Sequence, residues 1–367
     1  MTTTNHGETC VLVLQGGGAL GAYQGGVFEA LEAATFDPDW IAGISIGAVN
    51  AALIAGNPPE RRLAALRTFW DRASSRVPFA APFQEGWGRK LFNDAAAATV
   101  ALTGIPGFFT PRWTTPTMAL PGSAEAVSLY DTTPLRETLN ELVDFDLLND
   151  GPMRFSVGAV NVLSGNFIYF DNRDRRIGAD HVMASGALPP GFPPVMIDGE
   201  PYWDGGIVSN TPLQFVLDER SEQPLLVFQV DLFSARGMMP RSIAEAVQRE
   251  KDIRYSSRTR LNTDVQTRLA DLEETLARLA AKLPDSLKDD PDYRMLTTRH
   301  CGGPVTVMHL INRSEDYESQ GKDYEFSRAT ITGHWQSGKA DVERSFANPH
   351  WQHRVPPKNG IVTFDLE

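Results

Sequence analysis

Apolar positions in the first part of the chain fall into two kinds of run. Residues 10–15, Cys-Val-Leu-Val-Leu-Gln, are almost continuously apolar and rich in β-formers, which predicts a strand buried on both faces. Three glycines follow, then a helical pattern from about Ala19 to Ala34. A second apolar stretch, Trp40–Ile44, runs into Ser45 and another helical pattern from about Ile46 to Ala55. Strand, tight turn, helix, strand, tight turn, helix is α/β organisation. Further strands are predicted at Phe155–Asn161, Phe167–Asp171 and Leu225–Leu232, with 225–232 as the last strand of the sheet. Asp198-Gly199, flanked by apolar segments, predicts a two-residue hairpin turn.

Two regions break this pattern. Residues 79–121 are rich in Pro, Gly and aromatics, among them Phe83, Trp87, Phe92, Phe108, Phe109 and Trp113. They read as an insertion packed over the main domain, either a candidate lipid-facing cap or an aromatic cluster that closes the core. From about Met239 the character changes again. Leu261, Val265, Leu269, Leu272, Leu276, Leu279 and Leu283 recur at helical spacing with charges between them, which predicts an amphipathic helix. That helix is a candidate homodimer seam, with packing on its own tail as the alternative. A strand-like Val305–Ile311 and a helix near Phe326–Phe346 follow. Residues 240–367 therefore read as a largely helical extension, and no nucleophile motif occurs in them.

Composition narrows the function classes. The chain has 367 residues, 42% of them apolar and 22% charged, as expected of a globular protein with a large core. Its 34 basic against 46 acidic side chains give a net charge of −12, which argues against nucleic-acid binding. The same balance disfavours electrostatic attraction to anionic membranes, so peripheral membrane contact would use apolar surface. The two cysteines, Cys10 and Cys301, have no metal-ligand spacing and suggest a reducing compartment. The polar first nine residues do not resemble a signal peptide, and no apolar run reaches the length of a spanning helix. The expectation is a cytoplasmic protein without metal or other cofactor.

Three motifs carry the chemistry. Gly43-Ile44-Ser45-Ile46-Gly47 fits G-x-S-x-G at a predicted strand-to-helix junction. A sharp turn there would hold the serine oxygen clear of the backbone, with the following helix N-terminus facing the reacting centre. Gly16-Gly17-Gly18-Ala19-Leu20-Gly21 fits a dinucleotide loop or an oxyanion hole. A dinucleotide site needs an acidic residue at the end of the second strand, but Asp37 and Asp39 precede that strand. The oxyanion reading therefore prevails. Asp204-Gly205-Gly206 places a carboxylate at the end of an apolar segment, and a plain turn aspartate is its alternative.

The order glycine-rich loop, serine elbow, Asp-Gly-Gly resembles the patatin-like phospholipases, a family of Ser–Asp lipid acyl hydrolases. The resemblance covers about residues 10–217 and takes in Ala184-Ser185-Gly186-Ala187-Leu188-Pro189-Pro190 and Ser209-Asn210-Thr211-Pro212. It implies Ser45 as nucleophile, Asp204 as general base, and Gly16, Gly17 and Gly18 as oxyanion donors. Gly21, Gly43, Gly47, Gly205 and Gly206 would support these motifs. It also implies a three-layer α/β/α sandwich around a mixed, mainly parallel sheet. The extension looks like that of a bacterial subgroup, and its role does not follow from the resemblance.

Besides a nucleotide-binding oxidoreductase on the glycine loop, three alternatives stay open on sequence. One is an acyltransferase that uses the same acyl-enzyme, and another is a silent lipid-binding or scaffold protein. The third is a triad completed by His300 or His309, which the early position of the serine elbow disfavours.

Overall fold

The computed structural model describes residues 7–366 apart from 80, 82, 84–85, 114–115, 258–264, 266–267, 270, 273–274, 277, 299–301 and 314–320. Its centre is a nine-stranded sheet flanked by helices. The strands are β1 (Thr9–Leu14), β2 (Trp40–Gly43), β3 (Arg154–Asn161), β4 (Phe167–Asp171), β5 (Val195–Ile197), β6 (Glu200–Asp204), β7 (Leu225–Asp231), β8 (Val305–Ile311) and β9 (Ile361–Phe364). They lie in the order β9-β8-β7-β1-β2-β3-β6-β5, with β4 also paired to β3. From β9 to β3 all neighbours are parallel, whereas β4, β5 and β6 pair antiparallel. The sheet is thus mixed and mostly parallel, as expected. β1 and β7 are buried along nearly their whole length, which accounts for their unbroken apolar sequence.

Register decides what meets at the edge of the sheet. Leu14 of β1 lies opposite both Gly43 of β2 and Val230 of β7, so the loops after these three strands emerge side by side. Gly43 lies opposite Val157 of β3, and Asp204, the last residue of β6, lies opposite Ala159 two residues further on. Running against β3, β6 therefore ends at the level reached by Ser45 beyond β2. The hairpin between β5 and β6 turns through Asp198 and Gly199, at φ 52° and 85°, the pair of left-handed residues that a tight hairpin needs.

The helices include α1 (Ala22–Ala33), α2 (Ile46–Ala55), α3 (Pro59–Ala73), α4 (Gly86–Thr103), α5 (Ala179–Ser185), α6 (Leu213–Asp218), α7 (Ile243–Tyr255) and α8 (Arg328–Ala347); others, among them Thr133–Leu142 and Pro291–Thr298, lie between them. α2 is buried throughout, so it lacks the polar face of a surface helix. The insertion contains α4, whose Asn93, Ala96 and Val100 are buried while Trp87, Leu91 and Leu102 stay exposed.

The sheet does not end at 225–232. β8 pairs in parallel with β7, from Val305 opposite Leu225 to Ile311 opposite Asp231, and β9 pairs with β8. The physical reason is burial. An apolar strand such as Val305–Ile311 has six of its seven residues inaccessible, and it needs a partner strand as well as cover on both faces. The extension is also welded to the first helix. α8 crosses α1 where Gly26 meets the Trp335 carbonyl and Gly338 meets that of Tyr23, so a side chain at either glycine would collide with backbone. Tyr23 donates its hydroxyl to Asp341 at 2.6 Å across the same contact. Of the leucine-periodic run, Leu261 lies outside the described residues. The described part is helical as far as Ala280, with Val265, Leu269, Leu272 and Leu279 exposed, and Leu283 lies beyond the helix.

Candidate active site

Ser45 occupies the two-residue turn, Ile44-Ser45, between β2 and α2, at φ 56° and ψ −123°. A non-glycine residue in that conformation is strained, by about 1–3 kcal/mol. Its surroundings hold it there. The Ser45 N–H is donated to both the carbonyl and the hydroxyl oxygen of the buried Ser185 at the end of α5, each at 3.1 Å. The flanking glycines are needed for space: a Cβ on Gly43 would strike the Gly47 backbone, and one on Gly47 would strike the Leu14 carbonyl.

Asp204 is 2% exposed and lines the same pocket as Ser45, whose side chain acts to lower its pKa. Its Oδ1 also accepts the Gly206 N–H at 2.7 Å, which fixes the carboxyl in the Asp-Gly-Gly turn. Burial pushes its pKa from the ordinary 3.8 up to about 7, against the opposing pull of the Gly206 and Ser45 donors. A buried carboxyl beside an alcohol, at a basicity near neutrality, can accept that alcohol's proton more readily than an exposed one.

The glycine loop lies beside this pair. Gly16 must lack a side chain, since its Cβ would come within 2.9 Å of the Ser45 Cβ. Its N–H is donated to the Asn210 carbonyl at 3.3 Å, so Gly16 drops out of the set of free donors. The Gly17 and Gly18 N–H groups have no backbone acceptor among the described residues, and both glycines line the pocket at Ser45. Gly18 takes a left-handed φ of 56°, which favours glycine. A polar scaffold sets the loop: the Gln15 Oε1 accepts the N–H groups of Leu232 and Phe233 at 2.6 and 3.0 Å. Asn50 donates to the Gly21 carbonyl at 2.9 Å and to Gln24, and Gln24 donates to the Gln15 carbonyl at 2.7 Å.

The pocket has two ends. One is aromatic, built from Phe108 and Phe109 of the insertion with Phe192 and Phe326, whose ring centroids lie 5.2–6.2 Å apart in successive pairs. Leu135 and Leu188 complete it. The other end is polar and holds Lys251, Tyr255, Asp323 and Tyr324. Burial raises the Tyr255 hydroxyl, with the Asp204 charge next in weight, which places the two groups near one another. Sequence reading missed these four residues and Phe326, because no motif marks them and they reach the pocket only through the packing of the extension. Ser185 and Asn210 fell inside motif segments that were recognised, but without a role.

No histidine lines the pocket among the described residues. His309 lies in β8 and interacts with Asp231, not Asp204, while burial pushes the His334 imidazole down to about 4. His6 and His300 lie outside the described residues. Among the described residues no cluster of three His, Cys, Asp or Glu side chains is arranged to hold a metal, and no helix is long and apolar enough to cross a membrane.

Comparison with known proteins places this geometry in context. A family model described as patatin-like phospholipase matches residues 12–217, more than half of the 367-residue chain. A second, described as patatin phospholipase, matches residues 253–358. No curated protein matches the sequence. Among solved structures, VipD from Legionella pneumophila is similar at 13% identity and a TM-score of 0.40, over 92% of this chain and 66% of that one. The chain thus spans just under two thirds of that protein's length.

Proposed function

The chain belongs to the patatin-like phospholipase family, and from that premise we propose that it hydrolyses lipid-type carboxylic esters through a Ser45–Asp204 dyad. One observation carries the proposal: Ser45, on its strained turn, lines one pocket with Asp204, a carboxyl that burial pushes up to about 7. In the first half-reaction the Ser45 Oγ attacks the ester carbonyl carbon and its proton passes to Asp204. The negative charge on the former carbonyl oxygen is stabilised by the Gly17 and Gly18 N–H groups. As the intermediate collapses, the ester C–O bond breaks and Asp204 returns the proton to the departing alcohol. In the second half water attacks the acyl-enzyme and its proton goes to Asp204; the acyl C–Oγ bond then breaks, Asp204 returns the proton to the Ser45 Oγ, and the carboxylic acid leaves.

The aromatic end of the pocket suits the acyl chain, since apolar burial there costs no polar partner. The insertion supplies two of its rings, which supports a role as a wall of the acyl site. The polar end is left for the alcohol part of the substrate.

The test is an unbiased lipid-ester screen comparing wild type with Ser45→Ala, together with mass-spectrometric labelling by an organophosphonate. Hydrolysis that disappears with Ser45, and a single label on that residue, are expected. A wild-type chain that neither hydrolyses nor labels would overturn the proposal in favour of a silent lipid-binding or scaffold protein. Alanine replacement of each of the seven histidines in turn is expected to leave kcat/KM within about tenfold of wild type, since the dyad needs no imidazole. A far larger loss at His300 or His309 would restore the triad.

The pH profile follows from the same carboxyl. Asp204 accepts a proton only when ionised, so kcat/KM should be low in acid, rise with pH through about 7, and level off above it. A midpoint near the ordinary carboxylate range would mean that burial does not raise its basicity.

A further inference from the structure

The extension reaches the glycine loop at two points. Near the end of α7, the Tyr255 carbonyl accepts side-chain N–H groups from Gln15 and Asn210, both at 3.0 Å. In the 321–324 turn, the Asp323 carbonyl accepts the Ala19 N–H at 2.9 Å and lies against Gly18, where a Cβ would collide with it. The chain repeats the dipeptide Lys-Asp at these two places, as Lys251-Asp252 and Lys322-Asp323. The dipeptides pair crosswise: Lys251 with Asp323, and Lys322 with Asp252 at 2.9 Å. All four side chains are at most 20% exposed.

Buried ion pairs are an expensive way to make two segments adhere, because desolvation cancels most of the attraction. Their best-attested use is to set register, and crossed pairs do so strictly. Sliding one segment by a residue would oppose Lys251 to Lys322 in one direction, or Asp252 to Asp323 in the other. Two further contacts keep the lysines in place: Lys251 lies over the Tyr324 ring at 5.0 Å, and Lys322 over that of Phe233 at 5.6 Å.

We propose that the crossed Lys251–Asp323 and Lys322–Asp252 pairs form a positioning latch. It holds the Asp323 carbonyl on the Ala19 N–H, and so keeps the Gly17 and Gly18 N–H groups turned into the pocket beside Ser45. As a role in catalysis the latch rests on the dyad reading above. As a clamp on the loop it stands independently. The four side chains act through the loop and touch no reacting atom in this role. Lys322 and Asp252 lie outside the pocket lining, so replacing them tests the latch without touching the substrate site.

The experiment uses the full chain carrying Asp252→Leu with Lys322→Met, which removes both charges and keeps the bulk. Lys322→Arg serves as the conservative control. Hydrogen exchange at the Ala19 amide is measured with kcat and KM for a soluble ester, and thermal unfolding verifies the fold. In the double variant, exchange at Ala19 should quicken by about tenfold or more. The kcat should fall by about 100-fold with KM within about threefold, because a misplaced oxyanion donor is felt in the transition state and little in ground-state binding. Lys322→Arg should stay near wild type in all three readings. A folded double variant with unchanged Ala19 exchange overturns the latch, and one with quickened exchange but wild-type kcat overturns its catalytic role. If the wild type hydrolyses no ester, the dyad reading falls, while exchange at Ala19 still decides whether the pairs clamp the loop.

Discussion

Ser45→Ala should lower ester hydrolysis by about 10⁴–10⁶-fold, to the residual rate that binding and oxyanion stabilisation alone provide. The substitution removes one oxygen and nothing else. The Cβ remains, the N–H bonds to Ser185 remain, and α2 still starts at Ile46. Thermal unfolding should therefore stay within a few degrees of wild type, so that lost turnover reports lost chemistry. Initial rates on a chromogenic acyl ester, with phosphonate labelling of the same preparations, measure the effect. Retention of a tenth of the activity would mean that some other group attacks the ester.

Asp204→Asn is expected to cost about 10⁴-fold in kcat while making the protein more stable at neutral and alkaline pH. The two effects share one cause. A base that is 2% exposed is strong because its charged form is poorly solvated, and the same deficit destabilises the fold whenever the group ionises. The folded pKa of about 7 lies above the ordinary 3.8, so the folded state holds the proton more tightly. That contribution to stability is complete below about pH 4 and is lost as pH rises through about 7. The neutral amide escapes this loss. The variant should gain up to about 4 kcal/mol over wild type above neutrality, an upper bound from the size of the shift, and nothing in acid. Unfolding temperatures measured across pH test this, with kcat determined on the same samples. A large loss of rate without any gain in stability would show that the wild-type carboxylate is well solvated after all.

The site sets a serine on a strained backbone, and the packing around it holds that strain in place. Ser185, Gly43 and Gly47 fix the elbow, while Gln15, Asn50 and Asn210 fix the glycine loop. The extension belongs to this scaffold. It supplies Lys251, Tyr255, Asp323, Tyr324 and Phe326 to the pocket, and β8 and β9 to the sheet.

Short-range information made the first half of the chain legible. The apolar run at 10–15 and the glycine-flanked Ser45 announce buried strands and sharp turns, because a parallel strand must be apolar on both faces and a crowded turn tolerates no side chain. The order of the loop, the elbow and Asp-Gly-Gly identified the family. The extension was legible only as separate elements. Val305–Ile311 looked like a strand, but nothing local says that its partner is Leu225–Asp231, some 80 residues earlier.

Local pattern by itself thus determined which segments are strands or helices, where the backbone must turn sharply, and which residue types are available for chemistry. These depend on side-chain periodicity and on steric demands within a few residues. Only the tertiary structure decided that β6 ends level with Ser45, that Gly16 spends its N–H on Asn210, and that the extension walls the pocket. The same holds for the basicity of Asp204. Register, burial and desolvation are properties of segments brought together from distant parts of the chain, and no single segment carries them.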